Sequence, residues 1–171
     1  MIAWFLRPVR QFAQTLIANE TPRQIAWGFG LGMMAGLLPK ANLLFVLLGI
    51  VICAFRVNRP ASLLAMGLFS LVGPVTDGFA HQLGDSVLGW EPGQAFYEWL
   101  YALPLGPYLG FHNTVVMGQL LLGLYFFYPT YYVTRWVAAR VQPPLRKWLL
   151  GYRVIRWLRG AEIGAHWGIE S

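Results

Sequence analysis

The sequence predicts an all-α integral membrane protein with about four short transmembrane helices and an amphipathic interfacial helix at each end. Three observations lead there. Apolar residues make up 57% of the chain and charged residues only 12%, against about 25% charged in a soluble domain. The apolar residues collect into segments cut by proline and glycine, with aromatic residues near the segment ends, as in interfacial belts. The thirteen Lys and Arg avoid residues 76–134 altogether, where Asp77, Asp85, Glu91 and Glu98 occur instead. Nothing marks a second domain, so residues 1–171 are read as one membrane domain.

Residues 1–20 place Ile2, Phe5, Leu6, Val9, Phe12, Leu16 and Ile17 at helical spacing, with Arg7, Arg10, Gln11 and Gln14 on the other side. Such a helix is too polar to span. It lies in the cytoplasmic interface or packs on the bundle. It lacks the cleavage pattern of a secretory signal.

Residues 21–84 form the glycine- and proline-rich helical core. Thr21 offers an N-cap and Pro22 an N1 residue for a helix that Pro39 stops near Leu38. Gly28, Gly32 and Gly36 recur at i, i+4 and i+8 with Ala35 beside them, a small-residue ridge on which a second backbone can approach closely. That ridge is the predicted helix-packing and partner-binding surface. A second segment, 41–55, ends at Arg56-Val57-Asn58-Arg59-Pro60. A third starts at Pro60 and is apolar to Val75, with a bend expected at Gly73-Pro74.

Segments of fifteen to seventeen residues extend about 22–25 Å, against a hydrocarbon core of about 30 Å. Either the helices continue into the interface, or the first two form a re-entrant hairpin. Lys40 separates the cases: solvated at a periplasmic turn, it would sit deep in lipid at a hairpin tip. The cost of a buried lysine favours full spans.

Residues 85–112 form a periplasmic segment in which 94–103 reads as a short interfacial helix, broken by the run Leu103-Pro104-Leu105-Gly106-Pro107. Residues 113–134 are long enough to cross and carry an amide, Gln119, within the apolar run. In the basic tail, 135–171, a second surface helix is expected after Pro143-Pro144. There Leu145, Trp148, Leu149, Tyr152 and Ile155 share a face, and Arg146, Lys147, Arg153 and Arg156 reach lipid headgroups.

With both termini inside, twelve of the thirteen basic residues are cytoplasmic and only Lys40 is outside. The net charge of +6 therefore belongs to membrane topology, and no nucleic-acid partner is expected. A lone cysteine, Cys53, excludes an internal disulfide. Gly30-Leu31-Gly32-Met33-Met34-Ala35 fits a dinucleotide fingerprint but lacks a preceding strand and a ribose-binding acid, so it reads as helix packing. Asp77, His81 and Asp85 share one side of any helix continuing past Pro74. With Lys40 and Asn58 they are the candidate polar, ion or lipid-contact residues. A polar helix end is the simpler account of the triplet. Two loosely alike stretches, from Pro22 and from Pro60, each carry Ala-x-Gly (Ala26–Gly28, Ala65–Gly67). Paired segments of this kind point toward a transporter site.

Pro22-x-x-Ile25-Ala26-x-Gly28-x-x-x-Gly32, Pro39, Arg56-x-Asn58-Arg59-Pro60, Gly73-Pro74-x-x-Asp77, Leu83-Gly84 and Phe111-His112-Asn113-Thr114 resemble an uncharacterised family of small bacterial inner-membrane proteins. His112 stands where that pattern has the first of two adjacent asparagines. The resemblance covers about the middle two-thirds of the chain and carries no catalytic residues to transfer. It implies a neighbour: a long, single-span envelope protein of bridge-like lipid-transfer type. The expected function is therefore an inner-membrane accessory subunit of an envelope phospholipid-transfer system, by association and not by site chemistry. The expected partners are membrane lipids and that long protein. No cofactor, metal or enzymatic activity is expected. The alternative is a stand-alone solute or ion transporter using broken helices and Asp77/His81.

Overall fold

The structure, a computed structural model, describes residues 21–151, with side chains through 144. The helix expected at 1–20 and the headgroup residues Arg153 and Arg156 lie outside the described residues, as do the side chains of Arg146 and Lys147. The described residues form five α-helices and two 3-10 turns, with no strand among them: α1 (Pro22–Leu37), α2 (Leu43–Ala54), α3 (Arg59–Leu88), α4 (Gln94–Ala102) and α5 (Thr114–Gly151).

Local chemistry sets the boundaries. Thr21 and Gln24 make a capping box: Thr21 Oγ1 accepts from the Gln24 N–H at 3.3 Å, and Gln24 Oε1 accepts from the Thr21 N–H at 2.8 Å. The residue before Pro39, Leu38, is extended (φ −65°, ψ 144°), which ends α1. Asn42 caps α2 through Oδ1, accepting from Phe45 N–H at 2.8 Å. Asn58 caps α3 in the same way, accepting from Ala61 N–H at 2.7 Å, and Pro60 sits in the first turn. Arg59 Nη2 donates to the Cys53 carbonyl at 3.0 Å, closing the end of α2.

Two boundaries differ from the sequence reading. The third segment does not stop near Pro74, because α3 runs on for 30 residues to Leu88. Pro74 leaves the Ser70 carbonyl without its usual donor, and polar groups gather one turn on, where Thr76 Oγ1 donates to Gly73 O at 2.9 Å. Nor does the last helix end near 133. α5 continues through Pro129, Pro143 and Pro144 for 38 residues, so the tail helix expected after Pro143-Pro144 is its continuation. All three prolines are exposed, as are Tyr125, Ala139 and Arg140, whose carbonyls they deprive of a donor. The proline rings therefore lie on the outer side of α5.

Helices α1, α3 and α5 pack against one another, while α2 leans mainly on α1. Helix α1 runs parallel to α3. Asn58 N–H donates to Gln24 O at 3.1 Å at one end, and Leu37 faces Gly73 at the other. Helix α5 runs antiparallel to both, pairing Thr114 with Gly84, Gly118 with Ala80 and Gly123 with Met34. One apolar cluster joins Met33, Met34, Leu37 and Phe127; a second joins Ile25, Ala61 and Ala138. This arrangement collects Arg23, Arg56, Arg59, Arg135 and Arg140 toward one end of the bundle, and Asp77, Asp85, Glu91 and Glu98 toward the other.

Among the described residues, α3 is the one helix long and apolar enough to cross a membrane by length and composition. At 16 and 12 residues, α1 and α2 are shorter. Only 17% of the apolar window of α3 is buried. Val75 is 84% exposed and Leu71 76%, and Leu63 and Phe79 are bare as well.

Candidate functional site

The glycine ridge is taken up inside the chain. A Cβ added at Gly28 would strike the Asn58 carbonyl, and one at Gly32 the Ser62 carbonyl; at Gly36 it would lie 2.8 Å from Met66 O. Glycine is thus required for the α1–α3 backbones to approach, and the face that the sequence offered to a foreign helix is covered by α3. The second half of the bundle closes likewise, with Gly84 against the Thr114 carbonyl and Gly118 against that of Ala80. Ala35 is buried beside Gly36. Asn58, 1% exposed, caps α3 while its own carbonyl accepts from Ser62 Oγ at 3.1 Å. It belongs to this packing. The Pro22 and Pro60 stretches are not equivalent, since Gly28 is closed off and its counterpart Gly67 has nothing within 4 Å.

A polar cluster lies just past Pro74. Gln119, 0% exposed, directs Nε2 to Gly73 O at 3.0 Å, Thr76 Oγ1 at 3.1 Å and Asp77 Oδ1 at 2.9 Å. His81 Nδ1 meets Thr114 Oγ1 at 2.5 Å, one turn along, and Asp85 is exposed. The triplet therefore does not act as a unit: each member faces a different environment. Among the described residues no three His, Cys, Asp or Glu side chains converge to hold a metal. Gln119 was visible in the sequence as an amide inside an apolar segment, but nothing there paired it with Asp77.

A third site was not anticipated as a whole. The turn between α1 and α2 and the stretch 105–113 enclose an open groove of about 750 Å³. Its walls are chiefly apolar, with Leu43, Val46, Leu105, Tyr108 and Val116, and its polar members include Lys40, Asn42 and His112. No carboxylate lines it. Lys40 Nζ turns back on the end of α1, donating to Gly36 O at 2.7 Å, Leu38 O at 2.9 Å and Ala35 O at 3.4 Å. There the ammonium meets the negative end of the helix dipole. Desolvation by burial holds its pKa below the usual lysine range. Asn42 spends Oδ1 on the α2 cap, while its buried Nδ2 has no hydrogen-bond partner.

The fold and these contacts define a class: an all-helical bundle closed by glycine, with polar groups confined to a few internal and end positions. The chain belongs to a family described as an uncharacterized protein conserved in bacteria (DUF2062), which matches residues 6–144. A relative in Treponema pallidum (strain Nichols), itself described as an uncharacterized protein, is 32% identical over 130 residues, covering 76% of this chain and 80% of the relative. No solved structure matches the chain significantly.

Proposed function

We propose that the protein is a multi-pass subunit of the bacterial inner membrane, with its arginine-rich end cytoplasmic, that serves an envelope phospholipid-transfer system as an accessory and not as an enzyme. The observation that carries the membrane part is the bare exterior of α3. A core helix of a soluble protein would be mostly buried, whereas this one exposes Leu63, Leu64, Leu68, Leu71, Val75 and Phe79. From Leu63 to Phe79 this stretch rises about 24 Å, and α1 rises about the same. Leu37 at the end of α1 faces Gly73, and the turn beyond it carries Asn42 up against Gly110 in the stretch that precedes α5, which favours short full spans over a re-entrant loop. The bilayer would thin locally to meet them. The charge split between the two ends fits the positive-inside rule.

The lipid-transfer part rests on the family resemblance and on the nature of the surface. With the ridge used internally, a single-span partner would pack on the bare side of α3, where Gly67 and Gly78 have nothing within 4 Å. The transporter alternative is weakened because α3 passes Pro74 unbroken, leaving it Asp77 and His81 alone. Purification in mild detergent, with identification of what accompanies the protein, tests the reading. A long single-span envelope protein and phospholipid are expected. A lone protein that moves a solute in liposomes, and stops when Asp77 becomes asparagine, overturns it.

A further inference from the structure

We propose that the groove between the α1–α2 turn and residues 105–113 holds the headgroup of a phospholipid with net negative charge, its phosphate between Lys40 and Asn42. This deepens the membrane reading and rests on it. Three features converge on the assignment. Lys40 and Asn42 both line the groove and carry N–H donors, and no carboxylate lines it. Asn42 Nδ2 is buried without a partner, a costly state unless something accepts from it. Lys40 has carbonyl partners but no anion, as no acidic side chain lines the space around it. A phosphodiester oxygen would satisfy the amide and neutralise the ammonium together.

The rest of the groove selects a lipid over a small anion. Leu43, Val46, Leu105 and Tyr108 give it apolar walls that free phosphate would leave unmatched. Its level also fits. Leu37, just before the turn, faces Gly73, and bare apolar side chains on α3 end at Phe79. The groove thus opens where acyl chains would give way to headgroups. Val46 is exposed below it, on a helix whose outer side also bares Leu47 and Ile50, so the chains could run down α2.

The test uses the full chain, extracted from membranes in mild detergent and stripped of lipid. Native mass spectrometry and thermal melting are run with phosphatidylglycerol, with phosphatidylcholine of the same chains, and with inorganic phosphate. Phosphatidylglycerol should be retained and should raise the melting temperature; the other two should do so weakly. Lys40→Gln should weaken retention about tenfold and Lys40→Arg should preserve it. Asn42→Asp keeps the oxygen that caps α2 but replaces the amide donor with a carboxylate, so it should fold normally and lose the lipid. Unchanged retention in Lys40→Gln and Asn42→Asp would overturn the site, as would equal stabilisation by inorganic phosphate. Recovery of the protein in the soluble fraction without detergent would instead overturn the membrane reading beneath it.

Discussion

Gln119 donates through Nε2 to the Asp77 carboxylate at 2.9 Å, linking the first turns of α5 to the turn of α3 just beyond Pro74. The same amide reaches the Gly73 carbonyl at 3.0 Å. A fully buried group with several partners is costly to remove because the partners stay behind, unsatisfied. Gln119→Leu should therefore lower stability by about 1–3 kcal/mol in detergent unfolding. Asp77→Asn keeps an acceptor oxygen and should cost well under half of that. Equal losses from the two would mean that the carboxylate charge, and not the buried amide, holds this joint.

A second contrast concerns glycine. Gly32→Leu drives a side chain into the Ser62 backbone and should abolish folding, while Gly67→Ala, with nothing within 4 Å, should stabilise by up to about 1 kcal/mol through helix propensity. Both are read by expression and melting temperature. A tolerated Gly32→Leu would mean that α1 and α3 do not touch along this ridge.

These two sites also mark how far the sequence could be read. Caps are local, so Thr21 and Pro60 announced their helix starts, and Gly28, Gly32 and Gly36 announced a close approach by their spacing alone. What approaches them is a long-range matter. The ridge suits any backbone, and only the fold reveals that α3 occupies it. Pro74 and Pro143-Pro144 misled for a physical reason. Proline penalises a helix interior by orphaning a carbonyl and by the bulk of its ring, and here each ring sits on an exposed side of its helix, where it displaces no neighbour. The groove was illegible because it joins Asn42 to His112 across seventy residues.

Topology can be tested with single cysteines after Cys53→Ser. Glu91→Cys and Lys40→Cys should react with a membrane-impermeant thiol reagent from the periplasmic side, and Arg56→Cys should not. A silent Lys40→Cys beside a reactive Glu91→Cys would convert the α1–α2 pair into a re-entrant hairpin. Lys40 also helps close α1 through the Gly36 and Leu38 carbonyls, so the labelled protein should first be checked for a normal melt.

The last prediction places the partner contact. A membrane helix docks where its backbone can come close, and lipid tails offer no hydrophobic drive of their own. The ridge of α1 is excluded, because Asn58, Ser62 and Met66 already stand against it. Gly67 and Gly78 remain, about three turns apart and so on nearly the same side of α3, with Leu71 and Val75 bare between them. This side can accept a foreign helix without any rearrangement of the bundle. Gly67→Leu with Gly78→Leu should therefore leave the melting temperature of the isolated protein within a few degrees of wild type, yet strip the co-purifying envelope protein. Gly28→Leu with Gly32→Leu should lose both, since it breaks the fold itself. If the outer pair leaves the complex whole, the partner binds elsewhere; the bare side of α2, with Leu47 and Ile50, is then the surface to substitute next.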